Sequence, residues 1–170
     1  MPGGAVARTA APHRLAQVIK SFLKHSQVPS AVQCVINPLN SAGAIGYVSE
    51  AFNPLAILYE CQQLDIPILA IRAVQAGALT SSMDRSPHES GFDKSDFDDF
   101  DKAEPFRDLA IEWGESPASL AHRYALSIKG VASVILGVKN RTELKECVEA
   151  EAKDLLSDSE IQQIENCLKG

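Results

Sequence analysis

Three short apolar runs constrain this chain more than anything else in it: Ala31-Val-Gln-Cys-Val-Ile36, Ile66-Pro-Ile-Leu-Ala-Ile71 and Val131-Ala-Ser-Val-Ile-Leu136. Each is rich in β-branched residues and too brief for a helix, so each reads as a buried strand. In the second run Pro67 sits near the start, where a strand best tolerates a residue that cannot donate. None of the three alternates apolar with polar residues as a half-solvated strand does. Strands of that kind need cover on both faces, and helix-covered strands run parallel.

The segments between these runs carry helix signals. Leu15, Val18, Ile19, Phe22 and Leu23 form one stripe of a helix from about Pro12 to His25, closed by Pro29. Asn53-Pro54 supplies a cap and a first-turn proline for a helix to about Leu64. Pro105 opens a helix with Phe106, Leu109, Ala110 and Trp113 on its apolar stripe, and Gly114 stops it. Ser116-Pro117 starts another, running to Ser127. Asn140 caps the next, and Ser157 with Glu160 makes a capping box for a last helix striped by Ile161, Ile164 and Leu168. From Thr80 to Glu104 the pattern dissolves into Ser, Asp and Phe and carries most of the negative charge, which reads as a long, solvated, acidic lid-like loop. Its aspartates lack the glycine and terminal glutamate of a calcium loop, so no metal is expected there. The expectation is one domain over 1–170, built as a doubly wound sheet or as part of a (β/α)8 barrel.

A net charge of −6 provides no basic surface for nucleic acid or an anionic membrane, and no apolar run approaches the ~20 residues that cross a bilayer. Cys34, Cys61, Cys147 and Cys167 are scattered through apolar patterns without a paired spacing, as reduced core cysteines are. A cytoplasmic address is the expectation, although Arg8 and Arg14 with no nearby acids also suit a transit peptide.

In either parallel architecture ligands gather where the strands end. Asn37, Arg72 to Gly77 and Gly137 to Arg141 are the segments that leave the strands here. Gly137-Val-Lys-Asn-Arg141 joins a strand to a capped helix start, where backbone N–H groups and the helix dipole favour an anion and Lys139 and Arg141 add full charge. A phosphate ester and a purely structural cap fit these residues equally. Neither a Walker loop nor G-x-G-x-x-G is present.

Four segments in order resemble the aldo-keto reductases, the bacterial-type members in particular. Ala31 to Asn40 is similar to the family's sixth strand and loop, and Ile68 to Leu79 to its seventh strand. Ser116 to Leu126 resembles its seventh barrel helix, and Val131 to Val148 its eighth strand and the cofactor loop behind it. The resemblance covers about Arg14 to Leu168 and implies parallel β/α units forming the C-terminal half of a TIM barrel. It implies that Gln33 bonds a nicotinamide carboxamide, that Ile71 packs on the nicotinamide ring, and that Arg72 and the backbone to Gln75 line a pyrophosphate. Gly137, Lys139 and Glu143 would hold the adenosine end, with Lys139 and Arg141 favouring NADP through its 2′-phosphate. Cys147 stands where the family usually has asparagine on the adenine, and Glu143 where it often has Gln or Arg.

The family's catalytic Tyr, Lys, Asp and His come from its first four strands, and no tyrosine or histidine here matches those motifs, so no catalytic residue is assigned. Thr9-Ala10-Ala11 resembles the end of the fifth strand. What the resemblance implies is therefore an NADP-dependent oxidoreductase fragment. It reduces aldehydes and ketones, or oxidises sugars and alcohols, only when the N-terminal half is supplied. The alternative is a non-catalytic nucleotide-binding or regulatory half-barrel that pairs with another subunit. Either reading calls for a second half-barrel or another copy of the chain, because three or four parallel strands expose two edges and an apolar inner face.

Overall fold

A computed structural model describes residues 6–7, 28–45 and 54–169. The helix expected from Pro12 to His25, the cap at Asn53 and the strand end at Thr9 to Ala11 lie outside the described residues. Four strands, β1 (Val6–Ala7), β2 (Ala31–Val35), β3 (Ile68–Ile71) and β4 (Val131–Val134), form one sheet in chain order, parallel throughout. The three apolar runs are thus strands, each trimmed at one end, and the fourth strand is Val6–Ala7. Helix α1 (Pro54–Gln63) joins β2 to β3. Helices α2 (Lys94–Lys102), α3 (Glu104–Glu112) and α4 (Pro117–Ser127) lie between β3 and β4, and α5 (Arg141–Glu151) and α6 (Asp158–Cys167) follow.

The local signals hold where they are short-range. Ser116 accepts from Ser119 N, Asn140 accepts from Glu143 N, and the Ser157–Glu160 capping box is complete. Gly114 ends α3 with a φ of +68°, a left-handed conformation glycine adopts without strain.

One face of the sheet is sealed. Val32, Cys34, Ile68 and Ala70 point to the helical layer and pack with Ile57 and Cys61 of α1 and Ala125 of α4. A second core, of Phe106, Leu120, Tyr124 and Ile164, joins α3, α4 and α6 beside it. Tyr124 is buried as an amphipathic side chain, its hydroxyl donating to Glu165 Oε1 at 3.1 Å. The opposite sheet face departs from the expectation that both faces are covered. Gln33, Leu69 and Ile71 are only half-buried there, Ser133 is exposed, and Ile135 beyond β4 is 41% exposed. The apolar pattern reported what the strands require, and the described helices meet it on one side only. Parallel β/α units with helices on one face are compatible with part of a barrel.

The segment Thr80 to Glu104 is the larger correction. It is not one solvated loop, because α2 occupies Lys94–Lys102 and Asp93, Asp96 and Asp99 are buried. Arg85 within the segment pairs with Asp93 and Asp96, Arg72 from outside it also pairs with Asp96, and Asp99 accepts from Gln75 and Ser41, none of which composition alone shows.

Candidate functional site

Beyond β3 the chain turns sharply. Arg72, Gln75 and Ala76 adopt left-handed backbone with φ of 57°, 47° and 53°, and a 3-10 turn follows at Gln75–Gly77. Non-glycine residues rarely hold such angles unless surrounding contacts fix them. Those contacts form a polar latch beneath α2. Arg72 donates through Nε to Gln75 Oε1 at 2.8 Å and pairs with Asp96 Oδ1 at 2.7 Å. Asp96 also accepts from Ala44 N at 2.9 Å and from Arg85 at 3.0 Å. Gln75, fully buried, donates to Asp99 Oδ2 at 2.7 Å and to Ser41 Oγ at 3.1 Å. Asn37 closes the set by donating to Gln75 Oε1 and to the carbonyls of Ser41 and Arg72. Burial draws the Arg72 guanidinium below its ordinary pKa and Asp96 opposes that, so the arginine remains a cation paired inside the fold.

Between the loop after β3 and the loop after β4 lies a cleft of about 420 Å3, walled by Ala76, Gly77 and Arg85 on one side and by Gly137, Lys139 and His122 on the other. It sits where a parallel sheet gathers ligands. A more open hollow of about 700 Å3 lies on the far side of Arg85, against His88, Phe92 and Asp93, and takes in none of the residues that follow β4.

Of the residues singled out from sequence, Gly77, Gly137, Lys139, Glu143 and Cys147 meet in the cleft. Arg141 is exposed and does not line it, and neither do Gln33, Ile71 and Arg72. Gln33 and Ile71 sit on adjacent strands, Gln33 paired with Leu69 and Ile71 with Val35. The side chain of Arg72 is engaged by the latch.

The start of α5 also differs from a bare anion cradle. Glu143 accepts from Lys139 N at 2.8 Å and from Asn140 Nδ2 at 2.8 Å, while Asn140 caps Glu143 N. A carboxylate thus occupies part of the N-terminal field of the helix. Lys139 Nζ pairs across the cleft mouth with Asp84, both side chains at least half exposed. The hydrogen bond from Lys139 holds the Asp84 carboxyl below its usual pKa. An exposed pair of this kind contributes little, and a better anion displaces it readily.

At the base of the cleft, Cys147 on α5 lies 3.1 Å from Nε2 of His122 on α4, both buried. The Nδ1 atom of His122 is buried without a hydrogen-bond partner. Burial lowers the His122 pKa against the pull of Glu146, and burial with the carboxylates of Glu146 and Glu143 raises that of the Cys147 thiol, so the pair rests neutral. Asp84, Arg85, Asp96, His122 and Glu146 were not visible as site residues in the sequence. Asp84, Asp96, His122 and Glu146 meet partners 24 or more residues away and Arg85 partners in neighbouring turns, and no motif marks such pairs. Among the described residues no group of three or more His, Cys, Asp or Glu side chains could hold a metal ion, and no helix is long and apolar enough to cross a membrane.

A family model described as "Aldo/keto reductase family" matches residues 6–169. No curated protein matches the chain.

Proposed function

The chain belongs to the aldo/keto reductase family, and from that premise we propose that it supplies the NADP-binding, C-terminal half of a reductase barrel. Members of the family work as oxidoreductases with nicotinamide cofactors. The observation that carries the reading is the cleft at the ends of β3 and β4, with Lys139 at its mouth paired, among the described residues, with the exposed carboxylate of Asp84.

The residues fit a dinucleotide in kind. Lys139 and Arg85 are cations on opposite walls, and the buried, unpartnered Nδ1 of His122 is polar capacity that the fold itself leaves unused. In this reading a phosphate displaces Asp84 from Lys139, and Lys139 with Arg141 rewards the 2′-phosphate of NADP over NAD. Gln33 and Ile71, on the strands beside the cleft, would take the nicotinamide carboxamide and the ring face. When bound, the reduced cofactor supplies the hydride for an aldehyde or ketone. The half-covered sheet face of Gln33, Leu69 and Ile71 awaits the strands that complete the barrel. Until they are present the chain binds cofactor without turning substrate over.

Titration calorimetry tests the cofactor half of this reading. NADPH binds at least about tenfold tighter than NADH, a difference of about 1.4 kcal/mol, and Lys139→Ala brings the two within about twofold. Equal affinities in the unmodified chain contradict the NADP assignment, and robust aldehyde reduction by the chain alone contradicts the half-barrel. The Cys147–His122 pair at the base favours a second reading, a non-catalytic nucleotide-binding or regulatory half-barrel. That reading gains if a complementary half-barrel associates with the chain and turnover stays absent.

A further inference from the structure

The four cysteines differ in what surrounds them. Cys34 and Cys61 lie in the first core, where burial first of all pushes their thiols up to about 12 and about 11, and Cys34 donates to the carbonyls of Val35 and Pro54. Cys167 packs against the second core and donates to the Ile164 carbonyl. A carbonyl cannot take a proton from a thiol. Cys147 alone among them lines the cleft, and its partner at 3.1 Å is an imidazole nitrogen, which can. A second observation points to a ligand at the same spot. His122, 93% buried, presents Nδ1 with no partner beside the cleft. When the thiol donates to Nε2, the ring proton resides on Nδ1, a buried donor for which the described residues provide no acceptor.

We propose that Cys147 and His122 form a thiol modification site at the base of the cleft, taking neutral α,β-unsaturated carbonyl compounds, and that the adduct excludes a nucleotide. In the addition, a sulfur–carbon bond forms at the β-carbon and the carbon–carbon π bond breaks. The thiol proton passes through His122 Nε2 to the α-carbon, and nothing else is consumed. The carboxylates of Glu143 and Glu146 act on the Cys147 sulfur itself, so a neutral electrophile approaches that atom more readily than an anionic one. The resting pair is neutral, which leaves the sulfur quiet until a compound is held against it. The exclusion half of this inference rests on the cofactor reading above; the thiol half does not.

The test is limited N-ethylmaleimide labelling of the native full chain, with the modified cysteine identified by peptide mass mapping. Cys147 is labelled at least tenfold ahead of Cys34, Cys61 and Cys167. His122→Leu slows labelling at Cys147 about tenfold and leaves Cys167 unchanged, and His122→Gln, whose amide cannot take the proton, does the same should the leucine variant fail to fold. Labelling of Cys167 first, or of all four alike, overturns the site, and an unchanged Cys147 rate in both variants overturns the role of His122. Stoichiometric labelling lowers NADPH affinity at least tenfold. Cys147 labelled with NADPH affinity unchanged overturns the exclusion. Absence of NADPH binding before labelling counts against the cofactor reading and likewise removes the exclusion, while the order of labelling still decides the thiol site.

Discussion

Lys139, Glu143 and His122 show how much single positions on one cleft differ in what they can give a ligand. Lys139 is an exposed cation held by an exposed acid, so its charge is available for exchange. Glu143 already serves the start of α5, and replacing it with glutamine keeps one acceptor on Lys139 N while removing a negative charge from the cleft. Glu143→Gln is therefore expected to tighten NADPH several-fold, read by calorimetry, and a weakening would mean that the carboxylate itself contacts the ligand. His122 also reports on stability. Its folded-state pKa lies below the ordinary 6.5, so the unfolded chain binds the extra proton more readily. Its contribution is fully present above pH 6.5 and is lost as pH falls below that value. Urea midpoints compared at pH 7.5 and pH 5.5 are expected to fall less in His122→Leu than in the unmodified chain, and an identical loss would assign the effect to other groups.

Helix α2 shows what a sequence hides at the scale of an element. The caps of α4, α5 and α6 are legible because donor and acceptor stand three residues apart. The strands are legible because a run of β-branched apolar residues has few other uses. Lys94–Lys102 has no such local signature. It is acidic, lies in a Ser- and Asp-rich stretch, and is fixed by Arg72, Gln75 and Arg85, up to 24 residues away. The same long-range pairing engages the side chain of Arg72, the residue that the resemblance implies lines a pyrophosphate. Asp96→Ala leaves Arg72 and Arg85 without their shared carboxylate and is expected to destabilise the fold by about 3 kcal/mol, measured by urea denaturation. A loss under about 1 kcal/mol would show that α2 docks by other means. Gly43→Ala is expected to act in the same direction, because Gly43 has a φ of +52° and an added Cβ would overlap Asp96 Oδ1.

At the scale of the whole molecule, the described residues give the sheet one sealed face and one half-open face, and the cleft lies where its last two strands end. The covered face holds the first core, and the other mixes half-buried Leu69 and Ile71 with polar Gln33 and Ser133. Parallel architecture and strand order were readable from pattern and resemblance; the one-sided cover was not, since a run of apolar residues looks the same whatever covers it. The central claim is that the nucleotide sits between the two loops, and hydrogen exchange with and without saturating NADPH tests it directly. The account predicts slowed exchange at residues 74–85 and 137–147, together with the strand positions around Gln33 and Ile71. Slowing around residues 86–93 instead, or none at saturation, would contradict it.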